Sequence, residues 1–118
     1  MMPLDHQKLD VYRRALALLE TCDLVVNQLP SGRAHVRDQI DRAASSVVAN
    51  VAEGAGEFSR KEKARFYRMA RRSTIEMAAW LEIVARRGEA SESVVASALH
   101  QAQDVVSMLV KLIGGCEH

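Results

Sequence analysis

The sequence predicts an all-α protein, an antiparallel up-down-up-down four-helix bundle that forms one domain over residues 1–118. Three observations carry that expectation. Apolar residues recur at spacings of three and four along nearly the whole chain. No segment alternates apolar and polar residues with period two, so no strand is expected. The strong helix breakers cluster at Pro30-Ser31-Gly32, Gly54-Ala55-Gly56, Gly88 and Gly114-Gly115, which cut the chain into segments of roughly twenty residues or more. Short connections between such segments make consecutive helices antiparallel neighbours.

The first helix is expected over 8–28. Val11, Ala15, Leu18, Cys22, Val25 and Leu29 form a strict four-three stripe. Tyr12, Leu16, Leu19 and Val26 widen it to a second face, more than a four-helix monomer needs, and surplus apolar surface marks an interface. The second helix, 34–54, carries Val36, Ile40, Ala43, Val47 and Val51, with Gly54 read as a C-terminal cap. The third, 59–87, opens on Ser59 with Glu62 three residues on, the pattern of a capping box. Its stripe reads Phe66, Ala70, Ser73, Met77, Trp80 and Val84, and Gly88 stops it. The fourth, 92–113, follows Ser91, carries Val95, Ala98, Ala102, Val105, Leu109 and Leu112, and is expected to end at Gly114-Gly115.

Composition narrows the function classes. A chain of 118 residues is long enough to bury a core, and with aromatics at 4 % that core is built from Leu, Val, Ile, Ala and Met. A net charge of +1 gives no global basicity to advertise nucleic acid, so such a reading rests on local clustering. Cys22 and Cys116 have no CxxC or Cys/His metal spacing and read as reduced thiols of a cytoplasmic protein. The opening Met-Met-Pro-Leu-Asp-His lacks the basic and apolar regions of a signal peptide, and no run approaches the ~18 apolar residues of a membrane span.

Polar residues interrupt the inner faces of helices two and three. Asn50 falls on the stripe through Ala43, Val47 and Gly54, flanked by Arg42, Ser46 and Glu53, with Gln39 a turn before Arg42. Ser73 lies on the stripe of helix three with Glu76 three residues on. Buried polar groups are unfavourable by roughly 1–3 kcal/mol each unless partnered. Antiparallel packing brings Asn50, Glu53, Ser73 and Glu76 near one another, with Arg42 in reach of a carboxylate. Gln39, Arg42, Ser46, Asn50, Glu53, Ser73 and Glu76 therefore read as a structural network that sets helix register. A catalytic or metal reading is weaker. The Glu-x-x-His pairs of a di-iron bundle are missing, and His6, His35, His100 and His118 are scattered. His100 and Asp104 share a helix face as a surface pair. No Ser-His-Asp set, Cys-His set or glycine-rich phosphate loop can be assembled. Glu53 and Glu76 supply an acid–base pair in principle, but with no nucleophile or pocket.

The run Gln39-x-x-Arg42-Ala43-x-x-Ser46-Val47-x-x-Asn50-Val51-Ala52-Glu53-Gly54 resembles the signature of the four-helix-bundle proteins encoded within intervening sequences of bacterial 23S rRNA genes. Phe66-x-x-x-Ala70-x-x-Ser73-x-x-Glu76 resembles that family's second signature, and Leu9-Asp10-Val11-Tyr12-x-x-Ala15 its first helix. The resemblance spans about Leu9 to Gly88. It departs at Arg72, where the family usually has glycine, and at Ala78, where an acidic residue is common. It implies a small bundle assembling as a ring, a homopentamer. It also implies kinship with the accessory variability protein of diversity-generating retroelements, a similar bundle that binds a reverse transcriptase and nucleic acid.

One local charge bias remains. Helix three opens with Arg60, Lys61, Lys63, Arg65, Arg68, Arg71 and Arg72 against Glu62 alone. Lys61, Arg65, Arg68 and Arg72 follow four-three-four spacing and share a face. Arg33 and Arg37 join this patch only if helix two is short or bent, which the sequence leaves open. Most charge runs are solvated faces, but a ring would repeat the stripe into a belt, and phosphate binding rises with the number of charges neutralised. Phe58 and Tyr67 are the nearby aromatics, so backbone binding without sequence readout is expected. The expected protein is non-enzymatic, without cofactor or metal, binding structured RNA or an RNA–protein complex. The alternative is a protein-interaction adaptor, such as an accessory subunit of a retroelement reverse transcriptase.

Overall fold

The computed structural model describes residues 4–117, so Met1-Met2-Pro3 of the opening segment and His118 lie outside the described residues. Those described form a one-turn 3-10 helix (Asp5–Lys8) and four α-helices: α1 (Asp10–Gln28), α2 (Ala34–Gly56), α3 (Arg60–Arg87) and α4 (Glu92–Cys116). Helix α3, at 28 residues, reaches about 42 Å at 1.5 Å per residue, close to the 44 Å long dimension of the molecule. Each helix packs on the two neighbours of a square: α1 on α2, α2 on α3, α3 on α4 and α4 on α1. The up-down-up-down bundle is as expected.

Most of the predicted stripes are the core. Val11, Ala15, Leu18, Cys22 and Val25 of α1 meet Val36, Ile40, Ala43, Val47 and Val51 of α2, with Val95, Ala98, Ala102, Val105 and Leu109 of α4. Across the centre Cys22 Sγ lies 3.2 Å from Met77 Sδ of α3. The second apolar face of α1 is partly core as well: Val26 is buried, and Tyr12 and Leu19 pack against its edge.

Helix α3 is rotated from the expected stripe. Its buried line is Ala64, Tyr67, Ala70, Thr74, Met77, Leu81 and Val84. Phe66, Ser73 and Trp80 lie partly exposed on the flank facing α2, where the Trp80 ring meets His35 edge-on at 5.6 Å. Residues at i and i+1 are both candidates for a wide stripe, and only the position of the neighbouring helices selects between them. Thr74 is fully buried and satisfies its hydroxyl within α3, donating to the Ala70 carbonyl at 2.8 Å.

Helix ends follow the predicted signals in part. Gly88 adopts φ 65°, and the amides of Gly88 and Glu89 donate to the Ala85 and Val84 carbonyls, closing α3 as a Schellman-type cap. Ser59 Oγ accepts from the Glu62 amide at 3.3 Å, but the Glu62 carboxylate turns to Arg65 instead of completing the box. Gly54 is not a cap. It is helical, and α2 runs to Gly56. A Cβ on Gly54 would stand 2.6 Å from Cε1 of Tyr67, so this glycine admits the Tyr67 ring against the α2 backbone. Nor do Gly114 and Gly115 end α4, which continues to Cys116 while Leu112, Ile113 and Cys116 hold its last turn on the core. Glycine weakens a helix without forbidding it, and packing overrides that preference.

Candidate nucleic-acid interface and the adjoining polar seam

The predicted polar network forms along the outer edge of the α2–α3 contact, not inside it. The core line of α2 passes through Ala43, Ala44, Val47 and Val51, leaving Asn50 beside it, half-exposed. Arg42 Nη2 donates to Gln39 Oε1 at 2.7 Å and to Glu76 Oε1 at 3.1 Å. One turn on, Ser46 Oγ and Ser73 Oγ are 2.9 Å apart. Asn50 Nδ2 donates to the Ser46 carbonyl at 2.9 Å and to Ser46 Oγ at 3.0 Å. Each step forward on α2 is matched by a step back on α3, so the network marks the antiparallel register. Glu53 stands apart: it is exposed and does not join Glu76, which leaves no acid–base pair. The Arg42–Glu76 ion pair is solvent-exposed and contributes at most about 1 kcal/mol.

The basic residues divide into distinct roles. Lys61, Arg65, Arg68 and Arg72 are exposed along the outer ridge of α3, with Arg60 and Arg71 also exposed. Arg65 is held by Glu62 at 2.6 Å, with its guanidinium 4.4 Å from the Phe66 ring centroid. Arg68 pairs with Glu117 beyond α4. Lys61, Arg71 and Arg72 form no ion pair among the described residues. Lys63 turns inward, donating to the carbonyls of Gly54 at 3.2 Å and Ala55 at 2.8 Å. It caps α2, completing what its missing left-handed glycine would have done. Tyr67 is core, whereas Phe58 in the α2–α3 loop is fully exposed.

Because α2 is full length, Arg33 and Arg37 lie at the opposite end of the bundle from this ridge. Arg33 Nε binds Glu89 Oε2 at 2.7 Å, tying the start of α2 to the end of α3. That hydrogen bond holds the Glu89 carboxyl below its ordinary range. Stability from this pair is therefore present above the ordinary carboxylate pKa and is lost as pH falls through the lowered folded value.

Other chemistry is sparse. Both cysteines are free, and burial pushes the Cys22 thiol up to about 12, aided by Asp23 and Asp41, so it is protonated at neutral pH. His100 is a surface partner of Asp104 at 3.9 Å. Among the described residues no group of three or more His, Cys, Asp or Glu side chains is placed to hold a metal ion. No described helix is long and apolar enough to cross a membrane.

Surface depressions flank α3 on both sides. One, about 530 Å³, opens over the polar seam and is lined by Ser46, Asn50, Met69, Arg72, Ser73, Ile75 and Glu76. No spacing in the sequence signalled it, because it arises where the Arg72 side chain and the α2 edge enclose the ridge. The other, about 590 Å³, is a groove between α3 and α4, with Ile75, Ala78, Ala79, Leu99 and Val106 in its walls beside Thr74, Glu82, Gln103 and Ser107.

Comparison with known proteins bears on fold and family. A protein of unknown function from the S23 ribosomal protein family of Bacteroides thetaiotaomicron superposes with a TM-score of 0.80 at 20 % identity, covering 87 % of this chain and 97 % of that one. No curated protein matches the sequence. The profile of the 23S rRNA-intervening sequence proteins matches residues 7–111, the span that holds the two signatures, α1 to α3 and most of α4, and the chain belongs to that family.

Proposed function

We propose that this protein is a non-enzymatic, ring-forming bundle of the cytoplasm that binds structured RNA or an RNA–protein complex through the outer ridge of α3. The observation that carries the reading is the ridge itself. Lys61, Arg65, Arg68 and Arg72 project from one exposed face, and Lys61 and Arg72 have no acidic partner among the described residues. A phosphate backbone supplies the missing anions, and counterion release makes such binding salt-dependent. Arg65 and Arg68 exchange weak exposed ion pairs for phosphate at little cost. Lys63 is outside this interface because it caps α2.

The test is binding of a structured RNA measured against salt concentration. Affinity falls steeply with salt, and Lys61, Arg65, Arg68 and Arg72 changed together to Glu abolish binding. No binding at low salt, or full binding by the charge-reversed variant, ends the reading.

A second reading has its own observation. The α3–α4 groove leaves Ile75 52 % exposed beside Leu99 and Val106, an apolar surface suited to protein. In the ring reading this groove takes one neighbouring subunit of the homopentamer that the resemblance implies. In the adaptor reading it takes a partner such as a reverse transcriptase.

A further inference from the structure

The aromatic rings around the basic ridge have three different surroundings. Tyr67 lies in the core against Gly54. Phe66 is half-buried, with the Arg65 guanidinium over its ring. Phe58, in the loop between α2 and α3, is 101 % exposed. Its place in the chain explains the difference. Ser59 caps α3, so Phe58 is the residue before the cap, and the residue that would ordinarily pack against it is the fourth of the helix. That residue is Lys63, whose ammonium turns away to the Gly54 and Ala55 carbonyls. The hydrophobic staple that would cover the ring is therefore missing.

What adjoins the ring is charge. Lys61, three residues on and without an ion-pair partner among the described residues, begins the ridge that continues through Arg65 and Arg68 to Arg72, about 16 Å farther along α3. Of the nearby carboxylates, Glu57 is half-buried and Glu62 is engaged by Arg65. A protein interface centres on contiguous apolar area, whereas this ring is covered by no other side chain. An open aromatic at the head of a line of cations suits single-stranded nucleic acid instead: the cations take phosphates and the ring takes the face of a base. We infer that Phe58 is a base-stacking residue, against which an unpaired base lies when the ridge holds an RNA strand by its phosphates. The inference rests on the ridge being an RNA surface and adds selection of unpaired over paired segments, because only a base splayed out of a helix has a face free to stack. Base identity matters little, since every base has a π face.

The test measures binding of a uridine decamer, and of a decamer of the same backbone without bases, by fluorescence anisotropy across a range of salt concentrations. Phe58→Ala is expected to weaken uridine-decamer binding about five- to tenfold, the low end of what one stacked base contributes, and to leave the abasic decamer unchanged. The slope of affinity against salt stays that of the wild type, because a ring releases no counterions. Phe58→Leu, apolar but without a π face, is expected to behave as Phe58→Ala does. Phe58→Trp retains binding, and the uridine decamer quenches its indole emission beyond the background of Trp80, which lies by His35 at the other end of the bundle. Thermal melts of the variants match the wild type, since the ring is fully exposed. Wild-type affinity in Phe58→Ala or Phe58→Leu, or equal losses for the two decamers, overturns the stacking role. So does a lower solution mass for Phe58→Ala, which would assign the ring to a contact between copies of this chain. Binding of structured RNA with no binding of the uridine decamer overturns the stack and leaves the ridge, and failure of every RNA to bind at low salt removes both.

Discussion

On the flank of α3 that meets α2, Gly54 lets the Tyr67 ring lie against the backbone, and the seam is closed along its outer edge by the Ser46–Ser73 and Arg42–Glu76 contacts. On the flank that meets α4, Ile75, Ala78 and Ala79 face Leu99 and Val106 across an open groove, with Glu82 and Gln103 at its walls. Both flanks belong to one helix and carry comparable core beneath them. The difference is in what covers the edge. A hydrogen-bonded edge specifies register within the monomer. An apolar edge is complete only when something else covers it.

The sharpest way to break this comparison is at Gly54. Gly54→Ala places a methyl group against Tyr67, and overpacking outweighs the gain in helix propensity, so stability falls by about 1–2 kcal/mol. Gly56→Ala, in the same helix with nothing within 4 Å, is neutral or slightly stabilising. Urea denaturation of the two variants reads this directly, and equal midpoints would mean the seam is not closed by contact. Ser73→Ala has a smaller effect, about 0.5–1.5 kcal/mol, since water replaces part of the lost bond at a half-exposed site. A double-mutant cycle with Ser46→Ala isolates the pairwise contribution, and zero coupling would reduce the network to coincidence. Ile75→Asp is expected to change monomer stability least, within about 0.5 kcal/mol, because the residue is exposed. Its effect is on assembly: solution mass falls to that of the monomer if the groove is the subunit contact. An unchanged mass above the monomer would place the contact elsewhere, and a monomeric wild type would remove the ring.

Much of this architecture was legible from residue order. The stripes of α1 and α2 are buried as the spacing predicts, and that of α4 is buried as far as Leu109, beyond which Ile113 takes the core place expected for Leu112. The α3 stripe misled at Phe66, Ser73 and Trp80, which neighbour the true core line and share its period. The spacing of Ala43, Val47 and Gly54 points to Asn50 as an interior polar residue. The presence of Ala44 and Val51 on the buried face shifts that direction, and Asn50 emerges at the edge. In the candidate site the seven basic residues looked alike in sequence. Lys63 separates from them only because the end of α2, stopped without a left-handed glycine, presents carbonyls to it.

Period, breakers and the Ser59 and Gly88 caps determined by themselves that the chain is four antiparallel helices, since local hydrogen bonding and amphipathicity are properties of neighbouring residues. The two signatures likewise carried the family. What only the tertiary structure decided is where polar groups finish: which serine meets which, and that Arg42 takes Glu76 while Glu53 finds no partner among the described residues. Those outcomes depend on the rotation and offset of one helix against the next, which are set by the packing of Gly54 against Tyr67 and of Met77 against Cys22 across the core. Such contacts join residues far apart in the chain, and no spacing within a single helix encodes them.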